Sequence, residues 1–215
     1  MITKTILFQG DSVTDCYRNR DDDENLGNGY PRLLEADLGF RFPGQYRFLN
    51  RGNSGNRISD LYARIVQDMI NLQPDYLSIL IGINDIWRGI DSNYGTGAKR
   101  FEKVYHLLAE DLRESLPDCK LMLLEPFVLE GTATVDREDR PGSLQKFRTE
   151  VDEFSQITRS VAEEYGAVFV PLQQAFNNAL QYAPADYWLI DGVHPTATGH
   201  ALIAREWLKA FRTLE

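Results

Sequence analysis

The sequence predicts a three-layer α/β/α sandwich, a mainly parallel sheet covered by helices on both faces, and two observations predict it. Short apolar runs rich in β-branched or aromatic residues recur along the chain, each bounded by Gly, Pro or Asp, and segments with helical periodicity lie between them. Strands separated by helical crossovers run parallel, with right-handed connections and both faces buried.

The strands fall at residues 4–9 (KTILFQ), 46–50 (YRFLN), 76–81 (YLSILI), 120–125 (KLMLLE) and 167–170 (AVFV). Between the second and third, Leu61, Ile65, Met69 and Leu72 recur at steps of three and four, as on one face of a helix. Between the fourth and fifth, Phe147, Val151, Phe154, Ile157, Val161 and Tyr165 do the same. An apolar seam on an otherwise charged helix packs against a sheet. Further helices are predicted near residues 30–39, 98–115, 172–182 and 198–212, so the chain alternates β and α throughout.

With 215 residues, 43% of them apolar, the chain can bury one sizeable core without staples, and a single domain over 1–215 is expected. Cys16 and Cys119 are far apart and neither belongs to a C-x-x-C pair, which reads as free thiols in a reducing compartment. The amino-terminal MITKTILFQGDS runs into the first strand without the regions of a secretory signal, and no run has the length of a membrane span, so a cytoplasmic location is expected. Lys and Arg total 23 against 32 Asp and Glu, and the formal charge of -9 repels polyanions. Nucleic acid and anionic membranes are therefore poor partners. The run Asp21, Asp22, Asp23, Glu24 sits among Asn and Gly and reads as a solvated loop.

In parallel sheets ligands bind outside the carboxyl ends of the strands, where the following loops gather. Those loops are GDSVTD, RGNSGNR, GINDIW, the long segment 126–142, and DYWLIDGVHPT before the last helix. The segment 126–142 exceeds ordinary connection lengths, which suits a lid, a substrate wall or a contact between subunits of a homo-oligomer. Of three histidines, His106 and His200 lie in helical patterns, which favours packed or surface roles. His194 closes Asp191-Gly192-Val193-His194-Pro195, in which a carboxylate three residues before an imidazole can hold one tautomer and leave Nε2 free to accept a proton. The competing reading makes Asp191 the cap of the last helix, with His194 packed beside it.

Ser12, at the end of the first strand, could likewise cap a helix. If the sheet is parallel, however, Ser12 and His194 reach the same rim, and a serine hydroxyl needs such a base to become a nucleophile. Ester attack also needs N–H donors for the developing oxyanion. Gly55 in NSGN lets the backbone turn its N–H outward, and Asn84 in GIND carries a side-chain amide. Each has a plain reading as well, as a turn residue and as an Asx-turn former. Ser54 is a rival nucleophile in a turn-like context.

Taken in order, Gly-Asp-Ser12, Gly55, Gly82-x-Asn84-Asp85 and Asp191-x-x-His194 resemble the four blocks of the SGNH hydrolases, also called the GDSL esterase family. The wording GDSVTDC, GNGY, NRGNSGNR, IGINDIWR and DGVHP is similar to the bacterial acetylesterase branch that deacetylates xylan and xylo-oligosaccharides. Val13 stands where that family often has Leu or Ile. The resemblance implies a flavodoxin-like five-stranded sheet of order 2-1-3-4-5. It also implies Ser12 as nucleophile, His194 as base and then acid, Asp191 as orienting carboxylate, and an oxyanion hole from the Ser12 and Gly55 N–H groups and the Asn84 amide. Asp11, Asp15 and Asp85 would brace loops. The implied substrate is a small acyl ester, with no metal or organic cofactor.

Trp87, Tyr94, Tyr187 and Trp188 flank these loops, and their faces suit sugar rings, as they would suit a core. Two other classes compete: a metal-dependent phosphohydrolase built on Asp11, Asp15, Asp85 and Asp191, and a noncatalytic sugar-binding module on the same fold.

Overall fold

The computed structural model describes residues 3–214. In chain order it contains β1 (Lys4–Gly10), α1 (Ser12–Asp15), α2 (Tyr30–Arg41), β2 (Tyr46–Asn50), α3 (Ile58–Ala63) and α4 (Ile65–Asp68), the last followed by a 3-10 turn at Ile70–Leu72. Next come β3 (Tyr76–Leu80), α5 (Ile83–Ser92), α6 (Ala98–Ser115), β4 (Lys120–Leu124), α7 (Ser143–Glu164), β5 (Val168–Val170), α8 (Gln173–Ala179), α9 (Ala185–Trp188) and α10 (Ala197–Phe211). The five strands form one sheet of order β2-β1-β3-β4-β5, and every pairing is parallel. Strand order, direction and class match the expectation.

Alternation along the strands divides the core in two, because successive side chains point to opposite faces. Leu7, Ile79, Leu121 and Leu123 face one layer, where they meet residues of α3–α7 such as Ile58, Ile65, Phe101 and Phe154. Ile6, Phe8, Met122 and Val170 face the other, against Tyr30 and Leu34 of α2, Phe176 of α8 and Trp207 of α10. Phe154 stacks on Phe101 with ring centroids 4.1 Å apart, tying α7 to α6. Trp207 donates its indole N–H to Ser78 on β3 at 3.0 Å, so this buried polar pair of the second layer is satisfied.

Two local expectations are corrected. GINDIW is not an open loop: Asn84, Asp85 and Trp87 lie in the first turns of α5, which starts directly after Gly82. The helix read through Leu61, Ile65, Met69 and Leu72 is broken at Arg64 and Met69 into α3, α4 and the 3-10 turn. Arg64 leaves helical geometry where its guanidinium binds Asn56 and Asp68, while Leu61, Ile65 and Met69 stay buried. The acidic run lies in an exposed loop, as expected, where Asp23 also pairs with Arg18 and Arg51, and Glu24 with Arg47.

Replacing Phe154 by Ala opens a void at the α6–α7 contact. The expected cost is about 3 to 5 kcal/mol, read as a lowered urea midpoint with little change in slope.

Candidate functional site

The first strand delivers Ser12. Asp11 follows the strand and caps α1, accepting the Val13 N–H at 3.0 Å, so the cap that Ser12 could have supplied comes from its neighbour. Ser12 is the first helical residue, and its hydroxyl lies 3.0 Å from His194 Nε2. The other capping alternative is also filled elsewhere, because Thr196 accepts the Gly199 N–H at the start of α10. Asp191 instead folds back on its own turn. One carboxylate oxygen accepts the N–H groups of Val193 and His194 at 2.9 and 2.8 Å, and the other meets His194 Nδ1 at 2.7 Å. A carboxylate only accepts, so Nδ1 carries the ring proton and Nε2 is left as acceptor for the Ser12 hydroxyl. Hydrogen bonds hold Asp191 below the usual carboxylate range, against the effect of its burial. Its hydrogen bond with Asp191 raises the His194 pKa, although desolvation opposes the shift.

The long segment 126–142 stands behind this turn. Leu129 donates to the Gly192 carbonyl and Ala133 to the Asp191 carbonyl, both at 2.9 Å. At Gly131 a Cβ would fall 2.2 Å from the Asp191 carbonyl carbon, so only glycine allows the two backbones to come this close. Arg140, itself buried, reaches from the same segment to Asp91 on α5, whose other oxygen accepts the Trp87 indole N–H at 2.6 Å. The segment therefore braces the Asp191–His194 turn through its backbone.

On the other side, the segment 54–56 is held residue by residue. Ser54 donates both its N–H and its hydroxyl to Asp15 at 2.9 Å, which ties up the rival nucleophile. Asn84 donates to the Asn56 carbonyl at 3.2 Å, and Arg88 to the Gly55 carbonyl at 3.3 Å. Gly55 adopts φ +82, a conformation open to glycine. Asp85 accepts the Ile58 N–H at the start of α3. Burial pushes Asp11 up to about 6 and Asp85 to about 7. The three carboxylates Asp11, Asp15 and Asp85 thus accept backbone N–H groups, at the starts of α1 and α3 and in the 54–56 segment. With Asp191 they do not gather as a metal-dependent phosphohydrolase would require, and among the described residues no three metal-ligating side chains converge.

A cavity of about 640 Å³ opens beside Ser12 and His194. Of the four aromatic residues expected to flank the site, Trp87 sits with its ring 5.9 Å from that of His194. Tyr94 lies under the Arg57 guanidinium, Trp188 binds the Ala183 carbonyl, and Tyr187 packs edge-on to Trp188. None of the four, Trp87 included, lines the cavity. Its walls come partly from residues that sequence reasoning passed over: Tyr17, Arg18, Arg20 and Ile190. Cys16 and Tyr17 both have positive φ, which turns the chain back over the site, and Tyr17 is 89% exposed. The signal available was position, directly after GDSVTDC. His200 is packed, as expected: it accepts the Tyr30 N–H at Nδ1, contacts Cys16, and is lowered by burial to about 4.

A parallel α/β sheet that brings serine, histidine and aspartate into one hydrogen-bonded row at its carboxyl edge has the make-up of a serine hydrolase. The chain belongs to the GDSL-like lipase/acylhydrolase family, whose model matches residues 8–202, and it is a carboxylic ester hydrolase. It is 36% identical over 213 residues to an acetylxylan esterase of Geobacillus stearothermophilus, covering 95% of this chain and 92% of that one. The crystal structure of Axe2, an acetylxylan esterase of the same organism, superposes with a TM-score of 0.84 at 33% identity over 96% of this chain and 93% of the other. A GDSL-like protein of Parabacteroides merdae gives a TM-score of 0.89 at 37% identity, over 98% and 97% of the two chains. No helix among the described residues is long and apolar enough to cross a membrane.

Asp85 supplies a test of how the loops are held. Its folded pKa of about 7 exceeds the unfolded 3.8, so between these values the folded state holds the extra proton and stability falls as pH rises. Asp85→Asn removes that dependence. Its denaturant midpoint, compared with wild type, should improve steadily from pH 4 to pH 8, by a span of about 3 kcal/mol or less.

Proposed function

We propose that the protein removes acetyl groups from xylo-oligosaccharides through an acyl-enzyme on Ser12. The observation that carries this reading is the continuous row from the Ser12 hydroxyl through His194 to Asp191, at 3.0 and 2.7 Å. His194 takes the hydroxyl proton as Ser12 attacks the ester carbonyl, and the Asp191 carboxylate stabilises the imidazolium that results. The tetrahedral oxyanion is met by the N–H groups of Ser12 and Gly55 and by the Asn84 amide. His194 then hands its proton to the departing sugar oxygen. Water, activated by the same imidazole, releases acetate and restores the serine. No step calls on a metal or organic cofactor. The exposed Tyr17 is the aromatic face that lines the 640 Å³ cavity, Trp87 lies beside His194, and the volume suits a small saccharide.

Two further observations support the reading. The relatives act as their names state: one is an acetylxylan esterase, and Axe2 is also described as an acetyl-xylooligosaccharide esterase. Catalytic mutants of Axe2 replace one serine or one aspartate by alanine, in keeping with a nucleophilic Ser12 and an orienting Asp191. A cytoplasmic location goes with this reading, since oligosaccharides short enough to be imported would be the substrates.

Three measurements test it. Mass spectrometry after phenylmethylsulfonyl fluoride should find one adduct, on Ser12. Ser12→Ala should then lose at least about a thousandfold of its rate on acetylated xylobiose, whereas an unlabelled Ser12 or an active mutant overturns the assignment. The rate should also rise with pH as His194 loses its proton. Because the Asp191 hydrogen bond raises that pKa, the midpoint of kcat/KM should lie above the ordinary imidazole value of about 6.5.

A further inference from the structure

Arg88 is a half-buried cation on α5, one turn beyond Asn84 and on the same face of the helix. Among the described residues no carboxylate pairs with it, in a chain where Arg18, Arg20, Arg51, Arg57, Arg64 and Arg140 all do. Its guanidinium makes one hydrogen bond, to the Gly55 carbonyl at 3.3 Å. It also fills the space beside Gly55: a Cβ built there would lie 2.8 Å from Arg88 Nη2.

We infer that Arg88 is a positioning residue for the oxyanion hole, fixing the Gly55 backbone and setting an uncompensated positive charge beside the developing oxyanion. The inference rests on the esterase reading above. Glycine at φ +82 is conformationally loose, yet an oxyanion donor must be aimed before the charge develops. Ser54 is fixed by Asp15 and Asn56 by Asn84, so the backbone between them is anchored on both sides. Arg88 holds the remaining carbonyl and packs where a side chain would otherwise limit rotation. Of the three anchors it alone brings positive charge. That charge favours a negative transition state over a neutral ester, so its effect belongs in kcat and not in KM.

The test compares wild type, Arg88→Met and Arg88→Lys in hydrolysis of 4-nitrophenyl acetate and in inhibition by phenylboronic acid, which forms a tetrahedral anion on the serine. Arg88→Met should lower kcat by about ten- to a hundredfold, less than loss of a donor itself. KM should stay within about twofold, and boronate affinity should fall by the same factor as kcat/KM. Arg88→Lys, which keeps the charge, should recover part of both losses while the melting temperature is unchanged. Unaltered kcat in Arg88→Met overturns the inference, as does a loss confined to KM or a fall in kcat without a fall in boronate affinity. Should Arg88→Met fail to fold, Arg88→Lys is decisive alone: kcat and boronate affinity must fall together. A wild type that neither turns over ester nor binds boronate would instead remove the esterase reading itself.

Discussion

The parallel pairing of β1 with β3, which sets Gly10 beside Leu80, is the constraint on which the site depends. Both strands end at the same level, so Asp11-Ser12 and Gly82-Ile83-Asn84 leave the sheet side by side. The neighbouring β1–β2 pairing sets Phe8 beside Asn50 and brings 51–57 to the same rim. A parallel sheet with buried faces tolerates no slip of one residue, because a slip would exchange the two core faces and expose Leu7 or Phe8 to the wrong layer. Register fixed by apolar packing thus becomes register of polar groups at the edge. The side chains of the site need only short loops to meet.

What sequence could show follows from this division. Strands were legible because each is a short run buried on both faces. Helices α2, α6, α7 and α10 were legible because their seams repeat at helical spacing. The meeting of Ser12, His194 and Asp191 was legible because segments that follow parallel strands gather at one rim. Helix α5 was not, since Ile83-Asn84-Asp85 reads like a turn, and the helix begins directly after Gly82 without a side-chain cap. The wall formed by Tyr17, Arg18 and Arg20 was hidden because it depends on two consecutive residues in the left-handed region, which neither Cys16 nor Tyr17 announces. The role of 126–142 as a brace was hidden for a plainer reason: it consists of backbone contacts with residues more than fifty positions away.

The carboxylates of the site divide by burial into two kinds. Asp15 and Asp191 receive several donors and are held below the usual range, so they stay charged through neutrality. Asp11 and Asp85, buried more deeply, are pushed up toward neutral pH. This division suits the chemistry. In the proposed mechanism the charged Asp191 stabilises the imidazolium, while the more deeply buried Asp11 and Asp85 hold their protons to higher pH.

The two halves of the site are stiffened by different means, and the difference follows from what each must hold. The Asp191–His194 turn carries a preformed ion-accepting pair, so backbone braces from 126–142 suffice: Leu129 and Ala133 bind its carbonyls, and Gly131 abuts it. In the proposed mechanism the 54–56 segment instead aims a neutral N–H at a charge that exists only during reaction. A brace of neutral peptides there would give aim without field. Side chains from α1 and α5 supply the anchors, with Asp15 on Ser54, Asn84 on Asn56 and Arg88 on Gly55. On the proposed roles, placing Asn84 and Arg88 one turn apart on a single rigid helix keeps donor and charge in fixed relation, which a loop could not do.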